Sequence, residues 1–207
     1  MTDKPLRILM VCMGNICRSP IAEVVMRDRL DAAGLSKQVI VDSCGTGDWH
    51  EGEDADPRTR AVLVDHGYSL DHTARGFRPA WFQERDLILA MDHDNMRSLR
   101  RMARDAASSS EAAHGRSSEV AHGSSSGVAH GSSSEAAQGG LITPMHLLRS
   151  YDPELSHCSD EDPRLDVPDP YFGGADGFRD VLAMIERAID GVMASYVLPQ
   201  LAGPTPS

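Results

Sequence analysis

The sequence has few cysteines, a deficit of positive charge and no long apolar run. Four cysteines in 207 residues are too scattered for the disulfide framework of a small secreted domain, so a reducing, cytoplasmic location is expected. The 31 acidic residues outnumber the 20 Lys and Arg, and the net charge of −11 argues against nucleic acid or membrane as a partner. The apolar run 8–11 is too short for a signal peptide or a membrane span.

What the sequence does contain is an alternation of short apolar segments with helical patterns. Strands are predicted at 7–11, 39–41, 87–90 and 145–148. Helices are predicted to begin at Ser19-Pro20, with Ser19 as the N-cap, and to cover 57–66, 92–103 and 175–194. This alternation predicts an α/β fold: one doubly wound domain over residues 1–200, with a four-stranded parallel sheet flanked by helices. Residues 201–207 are expected to form a disordered tail.

One segment interrupts the alternation. Residues 106–137 hold four eight-residue copies, AASSSEAA, HGRSSEVA, HGSSSGVA and HGSSSEAA. They carry almost no bulky apolar side chains, so they cannot bury enough surface to offset the entropy of ordering. We therefore predict a flexible, disordered insertion at 104–140. Its histidines lie eight residues apart without preorganised geometry, and no metal site is predicted.

Two segments place a cysteine six positions before an arginine. Between Cys158 and Arg164 stand three carboxylates, which would repel a phosphate, and Pro163, which lacks a backbone donor. Between Cys12 and Arg18 there is no acid, and a strand precedes while a helix follows. The spacing alone is a weak signal, and only the first segment is predicted to bind phosphate.

The first segment is suited to nucleophilic attack on a phosphate ester. The free N–H groups and the dipole at the start of a helix favour an anion. Gly14 is expected to adopt backbone angles that are closed to other residues, so that successive N–H groups turn inward. Arg18 can bind two phosphate oxygens with its planar guanidinium. The same positive field favours the thiolate of Cys12, the predicted nucleophile, which Ser19 can hydrogen-bond. The predicted phosphate-binding loop consists of Met13, Gly14, Asn15, Ile16, Cys17, Arg18 and Ser19.

The segment 11–20, Val-Cys-Met-Gly-Asn-Ile-Cys-Arg-Ser-Pro, resembles the phosphate-binding loop of the low-molecular-weight protein tyrosine phosphatases. Five further segments of the sequence resemble later blocks of this family and occur in the same order: 45–50, 66–67, 72–75, 87–92 and 168–174. The resemblance implies a protein-tyrosine-phosphatase that acts through a phosphocysteine, without a cofactor or a metal. It also implies a phosphotyrosine-containing protein as substrate and inhibition by phosphate-like oxyanions, and we expect a monomer.

The resemblance also implies roles for single residues. Asp169, between two prolines, would be the general acid and then the general base. Asp92 would fix Arg18 and could cap the following helix as well. Cys17 would form a reversible disulfide with Cys12, although a small buried thiol is an equal alternative. The network that supports the loop would comprise Asn15, Ser19, Ser43, His72 and Asp92. The aromatic rim around the substrate would consist of Trp49 and Tyr171.

Three other functions fit the same loop less well. Arsenate reductases on this fold need further cysteines, but Cys44 and Cys158 are isolated. Arginine phosphatases of the family usually carry threonine where Ile16 stands, and Ile16 with Tyr171 favours phosphotyrosine. A non-catalytic phosphate-binding module gains little support, because Cys12 and Asp169 are both present.

Overall fold

The structure is a computed structural model, and it describes residues 4–115 and 143–202. Four parallel strands form one sheet in the order β2-β1-β3-β4. The strands are β1 (Leu6–Cys12), β2 (Val39–Gly45), β3 (Leu87–Ala90) and β4 (Met145–Leu147). The sequence prediction of a four-stranded parallel sheet is confirmed, and its central strands β1 (from residue 8 onward) and β3 are buried on both faces.

Helices cover both faces of the sheet. They are α1 (Arg18–Ala32), α2 (Pro57–Asp65), α3 (Trp81–Glu84), α4 (His93–Gly115), α5 (Ala175–Val192) and α6 (Leu198–Ala202), with a π-helical turn at Met193–Val197 before α6. One core packs α1, α2 and α5 against one face of β1 through residues such as Ile8 and Met10. A second core packs α3 and α4 against the other face through Leu9 and Val11. The domain is therefore doubly wound, as predicted.

The helix ends follow local backbone chemistry. Gly34 and Gly67 follow α1 and α2 with φ of 69° and 83°, angles that favour glycine. The prediction that Ser19 caps α1 is wrong, because α1 begins at Arg18 and the cap position is Cys17, without a side-chain hydrogen bond. Ser19 lies in the first turn, where its hydroxyl is engaged elsewhere. No helix within the two described ranges is long and apolar enough to cross a membrane.

The first part of the predicted insertion is helical in the structure. Helix α4 continues through the first part of 104–140 to Gly115. Alanine has the highest helix propensity, and the hydroxyls of Ser108 and Ser109 donate to the carbonyls of Arg104 and Asp105 one turn earlier. Residues 116–140 lie outside the described residues. At the C-terminus, 201 and 202 are helical rather than part of the predicted tail, and 203–207 also lie outside the described residues.

Candidate active site

Cys12 is the last residue of the central strand β1, at the edge of the sheet where parallel strands end. Its Sγ accepts a hydrogen bond from the backbone N–H of Asn15 at 3.2 Å and lies 3.0 Å from the Oγ of Ser19. The side chain is almost fully buried, with 3% of its surface exposed. Sγ thus stands at the N-terminus of α1, where the helix dipole favours a negative charge.

Asn15 turns the loop, and Gly14 does not. Asn15 has φ of 58°, the left-handed region that the sequence had led us to expect at Gly14. The asparagine side chain offsets this strain because its Nδ2 donates to Ser19 Oγ and Ser43 Oγ, both at 2.9 Å, and its Oδ1 accepts from the Arg75 N–H. Gly14 serves another purpose: a Cβ there would approach the His50 ring to 2.9 Å.

The residues predicted to support the loop meet there. Besides the contacts to Asn15 and Cys12, Ser19 Oγ donates to the carbonyl of Cys44 at 3.3 Å. His72 Nε2 lies 2.7 Å from the carbonyl of Asn15, so this nitrogen carries a proton. Four of the five predicted network residues therefore form one connected set of hydrogen bonds, and the fifth, Asp92, contacts Arg18. The carbonyl of Cys44 was not predicted, since a backbone group leaves no signal in the sequence.

Arg18 is held from two sides. Its Nη1 donates to Asp92 Oδ2 at 2.5 Å and to the Val167 carbonyl at 3.0 Å, and its Nη2 donates to Asp169 Oδ2 at 3.0 Å. Burial opposes the charge of Arg18, but the attraction of Cys12, Asp92 and Asp169 outweighs it and raises the pKa of Arg18. A permanently charged guanidinium therefore stands beside the loop that follows Cys12.

Asp92 makes the two contacts that its predicted roles require. Its Oδ2 accepts from Arg18, while its Oδ1 accepts from the backbone N–H of Asn95 in the first turn of α4 at 2.7 Å. Capping fixes the carboxylate, and the fixed carboxylate orients the guanidinium.

Asp169 faces Cys12 across a cavity of about 240 Å³. Its Oδ1 accepts from the backbone N–H of Tyr171, and its Oδ2 accepts from Arg18. The cavity is lined by Cys12, Met13, Gly14, Ile16, Cys17, Arg18, Trp49, His50, Asp169, Tyr171 and Phe172. The cysteine, arginine and aspartate that the sequence singled out therefore share one cavity, although 157 positions separate the first from the last.

An aromatic rim surrounds the mouth of this cavity. Trp49 and Tyr171, both predicted, line it and are exposed. The Trp49 ring lies over Gly47, where a Cβ would overlap the ring at 1.7 Å, so glycine is required for this approach. Phe172 and His50 were missed by the sequence analysis. The sequence signal that could have identified them is their position next to Tyr171 and Trp49, which were predicted.

Arg58 was also missed, and it anchors the loop that carries Asp169. Its Nη1 donates to the carbonyl of Gly173 at 3.0 Å, its guanidinium lies 5.6 Å from the ring centre of Tyr171, and Asp56 pairs with it. A charged side chain on α2 thereby ties two loops at the cavity together.

The other cysteines have environments that keep them protonated. Burial raises the pKa of Cys17 to about 12, with further contributions from Asp56 and Cys12. Burial also raises the pKa of Cys44 well above that of an ordinary thiol. Neither is therefore a competing thiolate at neutral pH. Within the described ranges, no group of three or more His, Cys, Asp or Glu side chains is placed to hold a metal ion.

A buried thiol at the end of a parallel strand, a helix N-terminus and a fixed guanidinium form a site that is suited to binding a phosphate ester. Comparison with known proteins leads to the same class. The family described as "Low molecular weight phosphotyrosine protein phosphatase" matches residues 7–113. A low molecular weight protein-tyrosine-phosphatase of Streptomyces coelicolor is 45% identical over 91% of this chain and 92% of its own length.

Solved structures of similar proteins share the fold of this chain. A protein tyrosine phosphatase from Entamoeba histolytica superposes with a TM-score of 0.67 and 28% identity, over 93% of this chain and 97% of that chain. A Drosophila arginine phosphatase shares the fold with a TM-score of 0.68 at 24% identity, over 92% and 98%. The chain belongs to the low molecular weight protein-tyrosine-phosphatase family, and it is a hydrolytic phosphatase. The predictions of family, fold and enzyme class are confirmed.

Proposed function

We propose that the chain hydrolyses phosphotyrosine in proteins, and small aryl phosphates, through a phosphocysteine on Cys12. One observation carries the proposal: Cys12 Sγ, at a helix N-terminus, shares a cavity of about 240 Å³ with Arg18 and Asp169. Nucleophile, anion-binding group and proton donor are the three parts that a two-step phosphoryl transfer needs.

In the first step, the Cys12 thiolate attacks phosphorus while the bond from phosphorus to the ester oxygen breaks. The phosphate oxygens take hydrogen bonds from the loop N–H groups and from Arg18, in place of the Arg18 contact that Asp169 makes in the free protein. Asp169, released from Arg18, takes a proton from solvent water and donates it to the departing phenolate.

In the second step, water attacks the phosphocysteine. Asp169, now a carboxylate, takes a proton from the water, and the bond between phosphorus and Sγ breaks to release phosphate and the thiolate. The Ser19 hydroxyl donates to the Cys44 carbonyl in the free protein; it turns its proton toward Sγ, 3.0 Å away, and stabilises this thiolate as the leaving group.

The cavity wall favours a phenyl ring over a guanidinium. Ile16 is apolar and lines the cavity, and Trp49 and Tyr171 can stack on a flat ring. A guanidinium would need acceptors, and among the described residues that line the cavity Asp169 is the one carboxylate. Phosphotyrosine is therefore the proposed substrate class, and phosphoarginine is the alternative to be tested.

Cys17 is proposed as the redox partner of Cys12. A peroxide would oxidise the Cys12 thiolate to a sulfenic acid, and attack by Cys17 would then form a disulfide and release water. The pKa of about 12 for Cys17 leaves Cys12 as the first thiol to react. Mass spectrometry after peroxide treatment should show a Cys12–Cys17 disulfide, and its absence would leave Cys17 as a buried structural thiol.

The experiment for the mechanism is a rapid-quench measurement with p-nitrophenyl phosphate. We expect a burst of nitrophenol equal to the enzyme concentration, and a phosphate group on the Cys12 peptide. Asp169→Asn should slow phenyl phosphate more than p-nitrophenyl phosphate, because only the poorer leaving group needs the proton. A linear time course without phosphorylated Cys12, or equal loss for both esters, would contradict the proposal.

A substrate panel separates the remaining alternatives. Phosphotyrosine peptides should be hydrolysed faster than phosphoarginine or phosphoserine peptides, and arsenate should be an inhibitor rather than a reduced product. Vanadate and phosphate should compete with substrate, and chelators should have no effect. We propose a monomer with a cytoplasmic location, which sedimentation and fractionation would test. Turnover below background for every ester would favour a non-catalytic phosphate-binding module.

A further inference from the structure

We propose that His93 is a positioning residue that, as an imidazolium, fastens the segment carrying Asp169 to the start of α4. This inference rests on the proposed role of Asp169 as general acid. His93 lies outside the active-site cavity, and it is the first residue of α4, directly after Asp92.

The protonation state follows from the two partners of the ring. His93 Nδ1 lies 2.6 Å from Asp166 Oδ1, and Nε2 lies 2.8 Å from the carbonyl oxygen of Asp160. A carbonyl and a carboxylate only accept hydrogen bonds, so both ring nitrogens must donate. Only the imidazolium has two N–H groups, and a neutral ring would face one acceptor with a lone pair.

The connection from His93 to the active site is short. Asp166 also accepts the backbone N–H of His93 at 2.8 Å. The next residue, Val167, donates its N–H to Met91 and offers its carbonyl to Arg18. Pro168 and Asp169 follow directly. His93 therefore holds the segment at Asp166, three residues before Asp169. His93 itself directly follows Asp92, the residue that fixes Arg18.

The charges around His93 support the imidazolium. The hydrogen bond to the Asp160 carbonyl raises the pKa of His93, burial opposes this, and Asp166 and Glu161 add to the rise. The other charged or titratable groups nearby are Asp92 and Asp94 on α4 and, in the wall of the adjoining cavity of about 380 Å³, Arg97, Arg100, His146, Asp160 and Glu161. A raised pKa means that the fastening is complete at low pH and is lost as the pH rises through the pKa of folded His93.

The consequence is a pH step in catalysis. When His93 loses its proton, one of its two ring contacts is lost and the Asp169 segment is held less firmly. Misplaced proton donation should affect poor leaving groups most, because good ones depart without a proton. The change of kcat with pH should therefore be larger for phenyl phosphate than for p-nitrophenyl phosphate.

The test compares His93→Gln with the wild type. Gln can serve one acceptor but carries no charge, so we expect kcat for phenyl phosphate to fall about tenfold below the pKa of His93, with a smaller fall for p-nitrophenyl phosphate and little change in KM. The pH step should disappear from the variant. His146→Gln is the matched control: His146 lines the same cavity but contacts Tyr151, and its profile should match the wild type.

Asp166→Asn provides a second, independent variant. The amide oxygen can still accept from the ring and from the His93 N–H, but the charge that favours the imidazolium is gone. The pH step should move to lower pH, an effect that a merely structural contact would not produce. ¹⁵N NMR of the His93 ring should show both nitrogens protonated below the step and one deprotonated above it.

The outcomes separate this inference from the proposed function. If Asp169→Asn shows no leaving-group dependence, the role of Asp169 fails and this inference fails with it. If Asp169→Asn shows that dependence but His93→Gln slows both esters equally with an unchanged pH profile, only this inference is overturned. An NMR titration in which one ring nitrogen lacks a proton throughout overturns it directly, whatever the kinetics.

Discussion

Two segments of this chain share the spacing of a cysteine and an arginine six positions apart, and the fold uses them in opposite ways. Arg18 is 2% exposed and reaches Asp92 and Asp169, 74 and 151 positions away. Arg164 is exposed and folds back on Asp162, two positions away. Cys12 stands between a strand and a fifteen-residue helix, whereas Cys158 precedes a three-residue 3₁₀ turn.

The difference shows that backbone context, and not spacing, decides which thiol has partners that favour a thiolate. Cys12 Sγ accepts a backbone N–H, whereas Cys158 Sγ lies 4.0 Å from the side-chain nitrogen Nε2 of His157. Burial, together with Asp162, raises the pKa of Cys158 despite the opposing charge of Arg164. The second segment therefore lacks the amide donors and the helix dipole, and its arginine is already paired with its own neighbour.

The largest expected effect comes from the paired cysteine substitutions. Cys12→Ser should reduce kcat on aryl phosphates to background, a loss on the order of 10⁵-fold or more, because the nucleophile is removed. Cys158→Ser should leave kcat and KM unchanged. Steady-state kinetics of both variants measures this difference. A large loss of kcat in the Cys158 variant would show that the second segment contributes to the site.

The paired arginine substitutions should give the next largest difference. Arg18→Lys should reduce kcat/KM about 100-fold or more, because an ammonium cannot replace a planar fork that is held by Asp92 and Asp169. Arg164→Lys should have no effect on kcat/KM and produce no measurable shift in Tm, because an exposed pair contributes little. Equal losses in the two variants would remove the distinction between the segments.

Thiol alkylation should separate the two cysteines chemically. At pH 7, iodoacetamide should label Cys12 first, while Cys158 and Cys17, with raised pKa values, should react slowly until the pH increases toward those values. Phosphate or vanadate should protect Cys12 and leave the rate at Cys158 unchanged. Peptide mass spectrometry over time gives the rates, and faster labelling at Cys158 would contradict the assignment of the reactive thiolate.

The smallest effects concern the third residue after each cysteine. Asn15→Ala should lower the free energy of unfolding by about 2–4 kcal/mol, because the left-handed backbone stays strained while three buried hydrogen bonds are lost. Glu161→Ala, the matched position, should leave stability unchanged, since Glu161 is exposed. Urea unfolding measures both. A stable Asn15 variant would mean that the loop does not depend on this side chain.

Much of the fold could be predicted because its signals are local. Apolar runs such as 87–90 can be buried in a parallel sheet, and a glycine such as Gly34 can take a left-handed angle at a helix end. The site loop was also local, since Cys12 to Ser19 is one continuous segment. The errors at Ser19, taken as a helix cap, and at Gly14, taken as the left-handed residue, arose because local propensity does not show where a side chain finds partners.

By itself, the sequence determined that a cysteine follows a buried strand and precedes a helix, and that no acid lies between Cys12 and Arg18. Only the tertiary structure decided which acids face that loop. Asp169 and Asp92 are two of 31 acidic residues, and nothing in their spacing distinguishes them. They lie close together because parallel strands end at one edge of the sheet, where loops that are distant in the chain meet. Neighbouring residues determine the local geometry, and tertiary packing determines the long-range partners.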